Sequence, residues 1–184
     1  MRRLVHLFAA LGLIMALTGN GADAAADPEN TLVMEIAHGT VVIEMLPEVA
    51  PEHVARIKEL VRQGFYDGLA FHRVMEGFMA QTGDPRGDGT GGSGQKLPAE
   101  FSGETYVRGT VGMARGPSPN SGDSQFFITF EEASFLDGQY TLWGRVTDGM
   151  AAVDRIKKAP AGRQSGKVDD PDRIESLKVQ ADIQ

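Results

Sequence analysis

The chain has 184 residues, of which 41% are hydrophobic and 23% are charged, proportions typical of one packed domain and not of a disordered chain. Its formal net charge is −7, which makes nucleic acid and anionic lipid surfaces poor partners. Cysteine is absent, so a disulfide framework is excluded, although an oxidising compartment is not.

The first element along the chain is an N-terminal segment of the secretory type. Two arginines precede the apolar run LVHLFAALGLIMAL, and small residues follow it. This layout predicts a signal peptide at residues 1–26, cleaved near Ala24 or Ala26, and a mature domain at residues 27–184 that is periplasmic or secreted. The apolar run is short for a bilayer span, so a retained membrane anchor is the less favoured alternative.

From Thr31 onward the sequence has the pattern of a single domain. The stretch LVMEIAHGTVVIEML alternates apolar and polar residues on both sides of His38-Gly39, which predicts a β-hairpin. In PEVAPEHVARIKELVRQG, apolar residues recur at helical spacing between Pro51 and Gly64. This periodicity predicts an amphipathic helix that begins near the proline and ends before the glycine.

Further strands are predicted in GTVGMAR, SQFFITF, YTLWGRV and IESLKV. A short second helix, with Met150, Val153 and Ile156 on its apolar face, is expected to start near Asp148 and to stop before Pro160. Many short strands with few helices favour a mainly β fold, a closed antiparallel sheet capped by helices, over a parallel βαβ array. Because neighbouring strand residues face opposite sides, Phe126 is predicted to point into the barrel, and Trp143 is interpreted as a core residue.

The glycine-rich loop GDPRGDGTGGSG resembles two kinds of ligand loop but fits neither. It contains G-x-G-x-x-G, yet no helix start follows, and Asp84 and Asp88 would repel phosphate. As a calcium loop it lacks two ligands, since Arg86 and Gln95 occupy their positions. No His, Cys, Asp and Glu cluster has metal-ligand spacing, so no metal or other cofactor is expected.

Two further residues invite a catalytic interpretation. Gly122-Asp123-Ser124 resembles an esterase nucleophile block, but all four histidines precede Ser124, so its hydroxyl is interpreted as structural. His72 and Arg73 are neighbours in a predicted strand, so only one of them can face a given site. A lone histidine is more often structural than catalytic, and Arg73 is the better candidate.

The stretch FHRVMEGFMAQTGD, residues 71–84, sets a permanently charged arginine among phenylalanine and methionine side chains. Together with GTGG, GTVGMAR, PNSGDSQFFI, FLDG and GRVTDGM, in order and with matching spacing, it makes the chain from Thr31 onward resemble the cyclophilins, which are peptidyl-prolyl cis-trans isomerases. The resemblance implies a closed eight-stranded antiparallel β-barrel capped by two α-helices. It also implies an enzyme that acts on proline-containing segments of unfolded or flexible polypeptides. A monomer is the default expectation, and the oligomeric state stays open.

The resemblance further implies roles for individual residues. Arg73 and Gln81 are the candidate catalytic residues, the glutamine supporting the arginine or binding peptide. The implied substrate-binding residues are Phe78, Met79, Ala114, Arg115, Gln125, Phe127, Phe135, Leu136 and Tyr140. Ala114 and Arg115 are expected to offer backbone groups to an extended substrate.

Three of these positions depart from the best-known cyclophilins. Phe135 stands in place of a tryptophan, Tyr140 in place of a histidine and Arg115 in place of an asparagine. That tryptophan normally donates a hydrogen bond to cyclosporin, so the resemblance leaves tight inhibition by the drug open, whereas isomerisation does not depend on it.

Two functions of other classes remain open from the residues alone. A chaperone could use the same groove to hold proline peptides without accelerating their isomerisation. A small-ligand barrel would instead take up apolar molecules in an inner cavity, independently of Arg73.

Overall fold

A computed structural model describes residues 27–183, and the predicted signal peptide lies outside them. The strands are β1 Thr31–Ile36, β2 Gly39–Met45, β3 Arg73–Met75, β4 Met79–Thr82, β5 Thr110–Met113, β6 Phe126–Thr129, β7 Leu142–Asp148 and β8 Ile174–Val179. The α-helices are α1 Pro51–Arg62 and α2 Met150–Val153, and short 3-10 helices lie at Pro28–Asn30, Pro119–Ser121, Ser134–Leu136 and Gln180–Asp182. None of the helices described is long and apolar enough to cross a membrane.

The strands form one curled antiparallel sheet of eight, in the order β3-β4-β6-β5-β7-β2-β1-β8. The predicted closed barrel is wrong, because the sheet is open and β3 and β8 are its edges. Between these edges the described residues form no continuous ladder, but two isolated bridges, Ala70 with Arg173 and Arg73 with Lys167, and a few single backbone hydrogen bonds such as Phe71 to Asp172. The segment before β8 cannot continue a ladder, since Pro171 has no amide N–H and Asp170 has a positive φ of 51°.

The predicted N-terminal hairpin is confirmed. Strands β1 and β2 pair in register from Thr31 opposite Glu44 to Ile36 opposite Gly39. Alternate side chains of both strands are buried in the core, as the alternation of apolar and polar residues requires. Gly39 has φ 129°, a conformation that glycine adopts without the strain of a side chain.

Helix α1 is also confirmed, and its apolar face packs into the main core through Val54, Ile57, Leu60 and Val61. The helix ends at Arg62, and Gly64 follows with φ 68°. Its N-terminus has no local side-chain cap.

The cap of α1 comes from a distant loop. The Glu100 carboxylate accepts the amide N–H groups of Glu52 at 3.0 Å and His53 at 2.9 Å, and it also pairs with the His53 ring. This carboxylate satisfies two of the amide groups that every helix start leaves without an intrahelical acceptor.

The second helix is shorter than predicted. It starts two residues after Asp148 but is α-helical only to Val153, and the chain then turns well before Pro160. The turn lets the Lys157 amide donate to the Asp172 side chain at 2.8 Å. Ile156 remains fully buried, so the apolar spacing reports the packed face correctly but not the extent of the helix.

The core has two parts, and strand β6 separates them. Phe126 packs edge-to-face against Tyr66 and Trp143 in the main core, with ring centroids 5.5 Å apart in each pair. Both Phe126 and Trp143 are fully buried, which confirms these two predictions. The next residue, Phe127, belongs to a smaller cluster on the opposite side of the sheet. Side chains fill the interior, which does not support a small-ligand barrel.

We expect Glu100→Gln to destabilise the protein at neutral pH by about 1 to 3 kcal/mol, because the helix cap loses its charge. Burial opposes ionisation of Glu100, but hydrogen bonds from Glu52 and His53 hold its pKa below the ordinary value. Its stabilising effect is therefore complete above the unfolded-state pKa of about 4.3 and is lost as pH falls through the lower folded-state pKa. Urea unfolding followed by Trp143 fluorescence should show the gap between wild type and variant shrinking on acidification.

Glu175→Gln, an exposed change on strand β8 whose carboxylate has no hydrogen-bond or salt-bridge partner among the residues described, is the matched control. It should alter the free energy of unfolding by no more than about 0.5 kcal/mol throughout. A Glu100→Gln gap that is independent of pH would contradict the capping role.

Candidate functional site

Strand register brings the two candidate catalytic residues together. Arg73 in β3 lies directly opposite Gln81 in β4, and Met75 lies opposite Met79. Directly paired residues project from the same face, so these side chains share one side of the sheet. Val74, between them in sequence, is buried in the main core.

The Arg73 guanidinium is partly buried and is held by neutral acceptors. Nη1 donates to the Gln81 Oε1 atom at 3.2 Å, and Nε donates to the Ser165 carbonyl oxygen at 3.1 Å. The sulfur atoms of Met75 and Met79 lie 3.1 Å from Nη2 and 3.8 Å from Nη1. The guanidinium plane is therefore fixed from several directions.

No carboxylate lies within salt-bridge distance of Arg73 in the described part of the chain. Burial lowers the pKa of Arg73, yet a guanidinium does not lose its proton in a protein. An ordinary surface ion pair does not describe this arginine. Its charge is left available to a group that enters from the open side.

A cavity of about 400 Å³ opens beside this charge. It is lined by Arg73, Phe78, Met79, Gln81, Ala114, Arg115, Phe127, Phe135, Leu136, Gln139 and Tyr140. Every site residue predicted from the sequence is in this lining except Gln125, and Gln139 was not predicted. The buried side chains of Met79, Phe127 and Leu136 form an apolar floor.

Aromatic rings form the walls and rim of the cavity. The Phe78 and Phe135 ring centroids lie 5.4 Å apart, and Phe135 is 64% exposed at the mouth. The Tyr140 ring meets Phe127 edge-on at 5.9 Å. The result is a groove with an apolar floor and an accessible rim.

Gln125 lines an adjoining cavity of about 270 Å³ and is joined to the first cavity by a hydrogen bond with Gln81. The Gln81 Nε2 group donates to Gln125 Oε1 at 2.9 Å, while Gln125 Nε2 donates to the carbonyl oxygens of Gly91 at 2.8 Å and Gly89 at 3.1 Å. Because the nitrogen of Gln81 is engaged in this way, its oxygen faces Arg73. The glycine-rich loop thereby orients the glutamine.

Two carboxylates hold the glycine-rich loop in shape. Asp84 accepts the amide groups of Arg86 at 2.8 Å and Gly89 at 2.5 Å. Asp123 accepts both the amide and the hydroxyl of Ser93 at 2.6 Å. A Cβ atom on Gly91 would lie 2.1 Å from Asp84 Oδ1, so that glycine makes room for the carboxylate. The glycine spacing thus reflects carboxylate packing, a role that the sequence analysis missed although aspartate-glycine turns are a known signal.

The described residues contain no group of three or more His, Cys, Asp or Glu side chains arranged to hold a metal ion. Ser124 donates its buried hydroxyl to the Gly83 carbonyl oxygen at 2.7 Å, in agreement with a structural role. His72 is buried and does not line the 400 Å³ cavity, and burial lowers its pKa. Of the neighbours His72 and Arg73, the arginine is the one that faces this cavity.

The Arg115 side chain joins two loops of the rim. Its Nε and Nη2 groups donate to the Gln139 carbonyl oxygen at 3.1 and 3.0 Å, and its guanidinium lies 4.5 Å from the centre of the Tyr140 ring. The Ala114 amide donates to the Gln125 carbonyl oxygen at 2.9 Å and is already engaged. This use of the Arg115 side chain was not predicted, since only its backbone was considered.

Gly112 is a second residue that the sequence analysis missed. It pairs with Phe127 across β5 and β6, and a Cβ atom there would lie 2.6 Å from Phe127 Cζ and 2.5 Å from Tyr106 Oη. The absence of a side chain therefore lets the Tyr106 and Phe127 rings stack, with centroids 5.8 Å apart. A glycine inside a strand pattern is the signal of such a close approach.

Comparisons with known proteins agree on one family. The family model described as cyclophilin type peptidyl-prolyl cis-trans isomerase/CLD matches residues 31–179. A Brucella suis protein named "Probable peptidyl-prolyl cis-trans isomerase" is 53% identical over 171 residues, covering 86% of this chain and 87% of the relative. A peptidyl-prolyl cis-trans isomerase of Synechococcus elongatus is 40% identical over 150 residues, covering 82% of this chain and 96% of the relative.

Solved structures show the same likeness. The cyclophilin AquaCyp293 from Hirschia baltica matches with a TM-score of 0.77 and 28% identity, over 86% of this chain and 77% of that one. A Cryptosporidium parvum cyclophilin type isomerase, solved in the presence of the dipeptide Ala-Pro, has a TM-score of 0.73 and 27% identity, over 81% of this chain and 98% of that one. The chain therefore belongs to the cyclophilin family and is a peptidyl-prolyl cis-trans isomerase.

Proposed function

We propose that Arg73 donates a hydrogen bond to the nitrogen of a half-rotated X-Pro bond while the adjoining cavity holds the proline ring. One observation carries the proposal. A guanidinium without a carboxylate partner among residues 27–183 stands on the wall of a cavity whose floor is Met79, Phe127 and Leu136.

The chemistry of rotation about the X-Pro bond explains why the site needs a hydrogen-bond donor as well as an apolar cavity. Rotation about an X-Pro bond crosses a barrier of about 20 kcal/mol because it breaks the conjugation between nitrogen and carbonyl. The twisted amide has less charge on oxygen and a localised lone pair on a pyramidal nitrogen. A fixed cationic donor therefore stabilises the twisted state more than the planar one, and it needs no proton transfer.

Magnitudes show why the apolar cavity belongs to the mechanism. A charge-assisted hydrogen bond contributes about 1.5 to 3 kcal/mol, or roughly 10- to 150-fold in rate. The remaining acceleration must come from a preorganised site that immobilises the proline ring and removes water from the amide. The floor residues serve the first purpose, and Phe78 and Phe135 at the rim serve the second.

The substrates in this proposal are proline-containing segments of unfolded or flexible polypeptides. The Cryptosporidium parvum relative was solved in the presence of Ala-Pro, which supports an X-Pro unit as the minimal ligand. Gln81, which lines the cavity, and Gln125, which lines the adjoining one, are the residues that we propose meet the flanking peptide backbone. Since all these contacts come from one chain, we propose that the protein acts as a monomer.

We also propose that the enzyme assists the folding of exported proteins in the periplasm or outside the cell. The support is the sequence of residues 1–26, in which two arginines, an apolar run and small residues follow one another. A retained anchor or an uncleaved precursor would place the enzyme elsewhere.

Replacement of Arg73 by alanine should slow catalysed exchange of an Ala-Pro or Phe-Pro peptide by roughly 10- to 150-fold, because the donor is lost. Exchange NMR spectroscopy with the mature protein measures this rate directly. Arg73→Lys should also be impaired, since an ammonium group cannot make the same set of fixed hydrogen bonds. Arg108→Ala, which removes a guanidinium paired with Asp154, is the matched control and should leave the rate unchanged. Wild-type exchange in Arg73→Ala would end the donor proposal.

Phe135→Trp should tighten cyclosporin binding by about five- to tenfold, because the indole adds a hydrogen-bond donor at the rim that phenylalanine lacks. Titration calorimetry measures the dissociation constant. Phe101→Trp, at another exposed phenylalanine, should leave the affinity unchanged. Equal affinities for wild type and Phe135→Trp would show that this position does not limit drug binding.

Expression of the full chain in a bacterium should yield an exported protein whose first residue is Ala25 or Asp27. Mass spectrometry of the periplasmic fraction identifies that residue. Leu13→Arg, which interrupts the apolar run, should leave the precursor uncleaved in the cell. Recovery of an intact wild-type N-terminus from the cytoplasm would refute the export proposal.

A further inference from the structure

We propose that Gly166 is a positioning residue of the isomerase site, because its lack of a side chain lets the Ser165 carbonyl fix the Arg73 guanidinium. The inference rests on the proposed role of Arg73. It adds the loop of residues 160–167, which the sequence analysis did not connect with catalysis, to the catalytic machinery.

The loop lies along the open edge of the sheet and contacts β3 at several points. The Val74 amide donates to the Gly166 carbonyl oxygen at 2.9 Å, and the Ala159 amide donates to the Val74 carbonyl oxygen at 3.0 Å. Arg73 and Lys167 form an isolated antiparallel bridge. The loop thus stands beside β3 where a closed barrel would have another strand.

Because the loop lies here, the carbonyl oxygen of Ser165, 92 residues after Arg73 in the chain, can accept a hydrogen bond from the arginine. The Ser165 carbonyl oxygen accepts from Nε at 3.1 Å, while Nη1 donates to Gln81 and Nη2 meets the Met75 sulfur atom. A carbonyl oxygen orients the guanidinium without neutralising it, whereas a carboxylate would do both. The donor is therefore held in place with its charge intact.

Only glycine fits at position 166. Its φ is 72°, and a Cβ atom there would lie 2.6 Å from Met75 Cγ and 3.1 Å from Arg73 Cγ. Both of these atoms belong to side chains on the groove face of β3. A side chain at this position would displace the stem of the arginine or move the Ser165 carbonyl away from Nε.

The loop has contacts of its own that keep it in place. The Gly166 amide donates to the Arg163 carbonyl oxygen at 3.0 Å, and the Arg163 side chain donates to Asp169 at 2.8 Å and to the Lys167 carbonyl oxygen at 3.1 Å. The acceptor is consequently in position before a substrate arrives, which is the condition for preorganisation.

The same loop offers a matched control. Gly162 has φ 81°, close to that of Gly166, but a Cβ atom there would meet no atom within 4 Å. Gly162→Ala and Gly166→Ala therefore share the strain of a left-handed alanine, and only Gly166→Ala collides with Arg73 and Met75.

The test compares the two alanine variants in peptide exchange and in thermal unfolding. We expect Gly162→Ala to keep wild-type turnover and Gly166→Ala to lose about tenfold or more in kcat, with a smaller change in KM, because the donor and not the cavity is disturbed. Equal kcat values in the two variants, whether both match the wild type or both are reduced, would overturn the positioning role.

A spectroscopic measurement reports on the arginine itself and does not require Gly166→Ala to fold. In wild-type protein the Arg73 Nε–H signal, identified by its disappearance in Arg73→Lys, should exchange with water more slowly than that of Arg86, whose Nε makes no hydrogen bond among the residues described. The slow exchange should persist in Gly162→Ala and be lost in Gly166→Ala. Rapid exchange in the wild type would refute the inference even if Gly166→Ala did not fold.

The two proposals fail in different ways. If Arg73→Ala retains full activity, the donor role is wrong and the positioning role falls with it. If Arg73→Ala is impaired while Gly166→Ala matches Gly162→Ala, only the positioning role is wrong.

Discussion

The Arg73 guanidinium gives up part of its hydration to line an apolar groove, and neutral oxygen and sulfur atoms replace the water it loses. Such an arrangement is less stabilising than an ion pair, because no negative charge compensates the cation. It leaves the charge directed at whatever enters the groove. The structure therefore has to hold the guanidinium by geometry, and much of the surrounding fold contributes to this.

Two separate parts of the chain supply that geometry. On one side, the glycine-rich loop orients Gln125, which orients Gln81, whose oxygen then faces the arginine. On the other side, the loop of residues 160–167 brings the Ser165 carbonyl to Nε. The second contact depends on the open sheet, because a regular strand paired with β3 would occupy the edge that this loop uses. The open edge of the sheet at β3 thus leaves room for the loop that holds Arg73 in place.

The glycine-rich loop has the glycine spacing of a phosphate-binding loop, but in this fold its glycines serve the packing of the loop beside the proposed site. Its glycines leave room for the carboxylates of Asp84 and Asp123, which accept backbone amides. This packing role is not visible in the sequence, because the folded path of the loop decides which carboxylate lies against which glycine.

The sequence by itself determined the hairpin, helix α1, the inward side of Phe126 and the burial of Trp143, because hydrophobic periodicity reports which face of an element is buried. Family motifs placed nearly every residue that lines the cavity, although their roles stay predictions. Only the tertiary structure decided the open edge of the sheet, the early end of α2, the Glu100 cap, the Arg115 contacts and the Ser165 acceptor. Each of these depends on where a loop returns to the sheet. Periodicity is a local signal and carries no information about a partner that lies tens of residues away along the chain.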